Sequence, residues 1–331
     1  MIISRAPVRV TLGGGGTDLE SYYSKHGGFL IAAAIDRHVF ISANKRFYDS
    51  IRLSYSQTEI VDDIAQIKHP IFREALRLLD IKKGIELVSI ADVPASCGLG
   101  TSSTFTVSLL NALHAYKRDF VTQKQLAEEA CRIEIDILGE PIGKQDQYIA
   151  AFGGITCLTF ERNGDVTVEP LRISDETLDQ LESNILLFHT GIERSASEIL
   201  SEQDEKSKKN DPGMIENLHR IKEIGVEARK ALETGAVDRF GELLHVHWET
   251  KKQRSQRMSD PFIDECYELA RNNGALGGKI MGAGGGGFFM LYCHNSDKHK
   301  LAQAMKKLGL KPMRFHFDFE GAKILVNMKR L

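Results

Sequence analysis

The stretch Val93-Pro94-Ala95-Ser96-Cys97-Gly98-Leu99-Gly100-Thr101-Ser102-Ser103 decides how this chain is read, because it runs straight into a helical pattern. Over residues 102–116, Phe105, Leu109, Ala112 and Leu113 recur at three-to-four spacing, the mark of one apolar helix face. The first turn of a helix has unpaired N–H groups and roughly half a positive charge, so a glycine-rich entry there favours an anion such as phosphate. The hydroxyls of Thr101, Ser102 and Ser103 can cap the helix, donate to phosphate oxygens or ligate Mg²⁺. An ordinary Ser/Thr cap would explain the hydroxyls alone. The two glycines flanking Leu99 turn the reading toward phosphate. The loop is not a Walker motif: nothing fits GxxxxGK[ST], and residues 139–145 fall one residue short and lack a hydroxyl after Lys144. Gly13 to Gly16 follow a strand but do not continue as a GxGxxG turn opening a helix. Neither HRD nor DFG occurs.

Two more glycine clusters stand beside apolar segments, Gly13 to Gly16 and Gly282 with Gly284 to Gly287. Glycine is useful where the main chain takes positive φ or comes close to something else. Strands are expected over 8–12, 39–43, 51–54, 85–89, 155–160, 166–171 and 184–189. A second helix is expected over 123–138, with Leu126, Ala130, Ile133 and Ile137 on one face and Thr122 as its cap. Residues 195–257 read as helical with a break at Asn210-Asp211-Pro212-Gly213, and 261–273 as one more helix. The remainder alternates: a strand at Lys279, a glycine loop, a strand over 288–293, a helix over 297–308 and strands over 313–319 and 322–328. A boundary between two mixed α and β halves is expected near residues 172–184.

The 331 residues suit about two domains. Lys and Arg number 43 against 45 Asp and Glu, which gives no overall electrostatic case for nucleic acid or an anionic membrane. The five cysteines are dispersed with no CxxC pair, as in a reduced cytosolic protein. The start lacks a signal-peptide profile, and no apolar run approaches the ~20 residues that span a bilayer. A cytoplasmic chain is therefore expected.

Phosphoryl transfer needs a cation near the moving group, oxygen ligands for Mg²⁺ and a group that orients or deprotonates the attacking hydroxyl. Asp146 sits in the polar loop Gly143-Lys144-Gln145-Asp146-Gln147, Glu134 lies on the second helix, and Arg9 stands between Val8 and Val10 in a strand. An inward strand arginine calls for an anion. His245-Val246-His247 has no third ligand nearby and reads as a polar helix face, so no zinc site is expected. No GxSxG elbow occurs. Lys206, Lys208 and Lys209 read as a solvated helix. Lys251, Lys252, Arg254 and Arg257 read as a solvated face ahead of a grip on a substrate phosphate.

Together the motifs resemble the galactokinase, homoserine kinase, mevalonate kinase and phosphomevalonate kinase (GHMP) superfamily over nearly the whole chain. Three blocks carry the likeness, in the family's order: Ala6 through Asp18, Pro94 through Ser103, and Lys279 through Gly287. The resemblance implies a two-domain α+β fold, an N-terminal ribosomal-protein-S5-like domain over 1–175 and a C-terminal ferredoxin-like domain over 176–331, with the site between them. It implies that Pro94, Ala95, Ser96, Cys97, Gly98, Leu99, Gly100, Thr101, Ser102 and Ser103 hold the phosphates of ATP. Mg²⁺ would fall to Ser102 and Glu134, the base or orienting group to Asp146, and the cation to Arg9. The acceptor would meet Gly16, Thr17, Asp18, Asp146 and Gly284, with Arg194 toward a distal phosphate. Thr101 replaces the usual first serine, and four glycines stand where galactokinases have Ile-Gly-Glu-His, which points away from galactose.

Within the family, Gly-Gly-Gly-Gly-Thr-Asp and Gly-Lys-Gln-Asp-Gln-Tyr resemble the branch that phosphorylates the anomeric oxygen of D-glycero-D-manno-heptose 7-phosphate, on a route to nucleotide-activated heptose. The implied partner is a small sugar phosphate, with no nucleic acid and no membrane, and a homodimer stays open as the assembly. The alternatives are a kinase for fucose or a hexose, a decarboxylating relative, and a non-catalytic nucleotide-binding regulatory protein. The last would be expected to have lost Arg9, Glu134 or Asp146, and all three are present.

Overall fold

The computed structural model describes residues 1–192, 196–255 and 257–328. One sheet takes β1 (Ile2–Gly13), β2 (Gly28–Lys45), β3 (Ile51–Ser54), β4 (Thr58–Val61), β5 (Ile85–Ala91), β6 (Ile155–Phe160) and β7 (Val166–Pro170). A second takes β8 (Ile185–His189), β9 (Ala275–Ile280), β10 (Phe288–Cys293) and β11 (Lys311–Met313). The last strand, β12 (Lys323–Asn327), returns to the first sheet. The strand orders are β12-β1-β2-β5-β3-β4, with β6 and β7 added along β2, and β11-β8-β10-β9.

The helices of the first half are α1 (Glu20–His26), α2 (Pro70–Leu78), α3 (Thr101–Lys117), α4 (Gln123–Cys131) and α5 (Gln145–Phe152). Those of the second are α6 (Asp175–Asn184), α7 (Ala196–Lys208), α8 (Pro212–Glu233), α9 (Val237–Lys252), α10 (Pro261–Asn272) and α11 (Lys298–Lys307). The α+β class is as expected. The expected division at residue 175 remains a proposal, and a unit built on the first sheet would also take in β12 and Phe317, which bridges to Ile35.

The apolar run from Phe29 and the strand expected over 39–43 are one long strand, β2. Its first part pairs with β6 and its last part with β5, while β1 lies along the other side. The register shifts between Pro7 and Val8, where Asp36 and Arg37 form a bulge. Its groups are paired by the segment before β12: the N–H of Asp36 donates to His316 O, and the N–H of His316 to Asp36 Oδ1. Bulges re-aim side chains. Before this one Ala6 packs in the core under α3 and α4, and after it Val8, Val10 and Leu12 pack in a second core with α8 and α9. Arg9 and Thr11 then face the side on which α5 lies.

A helix after residue 122 is present, and Thr122 accepts from the N–H of Gln125 as its cap. The expected apolar face is not continuous. Past Cys131 the helix widens into a π turn over Arg132–Ile137. The wider turn rotates the phase, so Ile137 is exposed and Glu134 is buried. That reversal turns the Glu134 carboxylate inward. The strand expected over 313–319 is shorter, Lys311–Met313, and α2, α6 and β4 are elements that the sequence reading did not contain.

The second core reaches across both halves, joining Val93, Cys97 and Leu99 to Met281, Phe288 and Met290. Helix α8 lies on the end of β1 almost backbone to backbone: a Cβ on Gly225 would stand 3.1 Å from the Gly14 Cα and 3.4 Å from a Phe29 ring carbon. Gly225→Val should destabilise the fold by about 1–3 kcal/mol, the usual effect of overpacking. A urea titration checks this, and an unchanged midpoint would show that the crossing has slack.

Candidate active site

The loop before α3 divides its side chains by burial. Cys97 and Leu99 are anchored in the second core, and Pro94, Ala95 and Ser96 are exposed. Gly100 is the residue before the helix, with φ 76°, and no side chain caps the first turn. The ordinary-cap reading of Thr101, Ser102 and Ser103 is therefore not what the structure has. Thr101 donates instead to Pro94 O at 3.2 Å, closing the loop on itself. The third glycine cluster packs on this loop: a Cβ on Gly98 would stand 2.8 Å from Met281 O, and one on Gly282 2.8 Å from Gly98 Cα. Two loops far apart in sequence thus meet main chain to main chain.

Arg9 and Asp146 are brought together. The guanidinium donates to both carboxylate oxygens, Nε to Oδ1 at 2.7 Å and Nη2 to Oδ2 at 2.8 Å, and Nη1 donates to Gly98 O at 2.6 Å. Such a fork combines charge with fixed geometry. Asp146 lies in the first turn of α5, and its carboxylate borders Gly100. It keeps a fifth of its side-chain surface open, whereas Arg9 is buried.

Ser102 donates to Glu134 Oε1 at 3.1 Å, and Gln147 to its Oε2 at 2.8 Å. Burial pushes the Glu134 carboxyl up to about 7, opposed by hydrogen bonds from Gln147, Ser103 and Ser102 and assisted by the Asp146 charge. No cation pairs with Glu134 among the described residues. A carboxylate with a neighbouring hydroxyl is an oxygen donor set that suits Mg²⁺. Asp18 is also buried, and burial followed by the Asp146 charge raises its pKa. Gln145 holds it, with Nε2 3.1 Å from Oδ2, and Thr11 in turn donates to Gln145 Oε1 at 2.6 Å.

A cleft opens between the two halves, lined by Arg9, Thr11, Gly16, Asp18, Gln145 and Asp146 on one side. Thr17 does not reach it. Its hydroxyl lies 2.9 Å from the carbonyl oxygens of Gly14 and Phe29, and it fixes that turn. Gly284 packs against Met258 outside the cleft lining. Arg194 lies outside the described residues. The opposite wall contains His247, Lys251, Arg254 and Lys279, all buried. This corrects the solvated-face reading of Lys251 and Arg254 and the polar-face reading of His247. The signal was present in α9, where Phe240, Leu244, His247 and Lys251 follow one helical stripe.

Two family descriptions match the chain, GHMP kinases N terminal domain over residues 64–154 and GHMP kinases C terminal over 228–310. The chain belongs to the GHMP kinase family, and it is a phosphotransferase with an alcohol group as acceptor. It is 32% identical to the D-glycero-alpha-D-manno-heptose 7-phosphate kinase of Campylobacter jejuni, over 97% of this chain and 98% of that one. It is 27% identical to a crystal structure described as a D-glycero-D-manno-heptose 1-phosphate kinase from Bacteriodes thetaiotaomicron, with a TM-score of 0.83 over 99% of this chain and 100% of that one. A galactokinase of Pyrococcus furiosus is 26% identical over 86% of this chain and 87% of that one. No helix among the described residues is long and apolar enough to cross a membrane.

Between the ordinary glutamate value of 4.5 and about 7, Glu134 holds a proton in the native state that the unfolded chain has released. Its raised pKa therefore makes stability fall as pH rises through that window. Glu134→Gln cannot ionise, so without divalent cation the variant should lose less stability than the parent across it, by on the order of 1–3 kcal/mol. Denaturation midpoints at both ends of the window test this. Parallel pH profiles would remove the raised pKa.

Proposed function

We propose that this protein transfers the γ-phosphoryl group of ATP to the C1 hydroxyl of D-glycero-D-manno-heptose 7-phosphate, giving the 1,7-bisphosphate for nucleotide-activated heptose synthesis. The observation that carries this is the Arg9–Asp146 fork, set between a glycine loop at a helix N-terminus and a cleft lined by polar groups of the kind that bind sugar hydroxyls. The likeness to the Campylobacter jejuni enzyme supports the choice of sugar.

GHMP kinases take ATP as phosphate donor. The nucleotide phosphates lie over the uncapped first turn of α3, where amide donors and the helix dipole favour them. Ser102 and Glu134 are the residues that would hold Mg²⁺, which supplies neutralising charge for the phosphates. Asp146 orients the C1 hydroxyl and accepts its proton as the new P–O bond forms and the bond to the β-phosphate oxygen breaks. Arg9 keeps both oxygens of that carboxylate in register and adds positive charge beside the transferring group. An anomeric hydroxyl is more acidic than an ordinary alcohol, which eases proton transfer to a carboxylate, and fixed geometry adds to it. Asp18, held by Gln145, meets the sugar hydroxyls. The free, buried cysteines fit a cytoplasmic setting.

ADP-coupled turnover on heptose 7-phosphate beside heptose, heptose 1-phosphate, mannose and fucose tests the reading, with NMR of the product to locate the new phosphate. Preference for a sugar without a distal phosphate, or a phosphate placed away from C1, would overturn it. Asp146→Asn should lower kcat by about 10²–10⁴-fold with nucleotide affinity kept. Near-parental turnover would take the proton-accepting role from Asp146.

A further inference from the structure

We propose that Lys251, Arg254, Lys279 and His247 form a built subsite for the phosphate monoester of the acceptor, on the wall of the cleft opposite Asp18 and Asp146. The inference rests on the reading of the acceptor as a sugar phosphate, and it names the residues that recognise its distal end.

The four side chains come from two elements. His247, Lys251 and Arg254 follow one face of α9 and the turn after it, and Lys279 is near the end of β9. None is bonded to a carboxylate of the described residues. Lys251 Nζ donates to the carbonyls of Ile280 at 3.1 Å and Gly282 at 2.6 Å. Arg254 donates to Asn217 Oδ1 at 2.8 Å, Gln203 Oε1 at 3.2 Å and Gly15 O at 3.1 Å. Both ring nitrogens of His247 are buried without a partner. Lys279 is 2% exposed, and no described residue accepts a hydrogen bond from its ammonium. Buried lysines are almost always paired. A wall with several buried basic groups and no anion of its own is complementary to an anion from outside.

Charge and position narrow the ligand. Lys251, Arg254 and Lys279 line the same cleft as Asp18, its carboxylate among the described residues that no arginine forks, an excess of two positive charges when all are ionised. A phosphate monoester carries about −1.5 to −2 near neutral pH. Burial, and then the repulsion of neighbouring cations, lowers Lys279 to about 7 and holds Lys251 well below the usual lysine range. A bound dianion reverses both effects. The lining of this cleft includes Asp146 but not Gly98 to Ser103, so the wall lies on the acceptor's side of the reacting groups. The nucleotide phosphates are served by the α3 turn.

The test compares the full-length protein with Lys279→Met, which keeps most of the stem and removes the charge. With a non-hydrolysable ATP analogue saturating the glycine loop, inorganic phosphate should raise the thermal midpoint of the parent and not that of the variant. The variant without ligand should be at least as stable as the parent, because an unpaired buried cation has gone. In steady-state kinetics the KM for the phosphorylated acceptor should rise at least tenfold, with ATP affinity unchanged and kcat within a few-fold. The preference over the unphosphorylated sugar should shrink by the same factor. An equal phosphate response in both proteins, or an equal loss for phosphorylated and unphosphorylated acceptors, overturns the subsite. A phosphate response that depends on Lys279 in a protein inactive on heptose 7-phosphate would overturn the proposed function and leave the subsite standing.

Discussion

The Arg9 guanidinium binds three things at once: both oxygens of Asp146 on α5 and the carbonyl of Gly98 in the loop before α3. Strand β1, the glycine loop and the helix with the Asp146 carboxylate are therefore indexed to one planar group. A lysine could neutralise Asp146 but could not hold both of its oxygens in a plane while also reaching a carbonyl. Nor is the pair explained by stability. A buried ion pair is commonly no better than a well-packed apolar pair of the same volume, because desolvation offsets the attraction. What it supplies is position, which is what phosphoryl transfer asks of a protein.

That indexing works because the two halves of the chain touch through their main chains. The Gly98 and Gly282 backbones approach within a distance that leaves no space for a side chain between them. The second core continues the contact below, from Cys97 and Leu99 to Met281 and Phe288. The cleft above it is thus bounded on one side by the first half and on the other by α9 and β9. The return of β12 to β1 closes the arrangement from the far end of the sequence.

Local pattern carried most of the architecture and some of the site. The glycine loop with the apolar stripe of α3 was legible, as was the inward Arg9, since each is a short-range anomaly with one physical explanation. Glu134 was singled out on a helix expected to run unbroken over 123–138; the π turn that buries it is a departure from regular spacing and has no pattern of its own. Thr17 and Gly284 were placed at the acceptor by likeness of motif, and the first has its hydroxyl taken by a turn while the second packs on Met258. Lys251 and Arg254 were read as solvated because charge usually is. The stripe they extend, from Phe240 through Leu244 and His247, was a stronger guide than their residue type, since a helix buries a face and not a composition.

The buried ionisable groups around the cleft share one property. Among the described residues Glu134 is buried with no cation, and Lys251 and Lys279 with no anion, while Arg9 and Asp146 satisfy each other. Burial moves each unpaired group toward its neutral form, the acid upward and the bases downward. A divalent cation beside Glu134 and a phosphate beside Lys279 would restore those charges from opposite directions, one releasing a proton and the other taking one up. Ligands at the two sites therefore move the protein's proton count in opposite directions. In the subsite proposed above, a neutral sugar would leave the basic wall uncompensated, whereas a phosphorylated acceptor would complete its electrostatics.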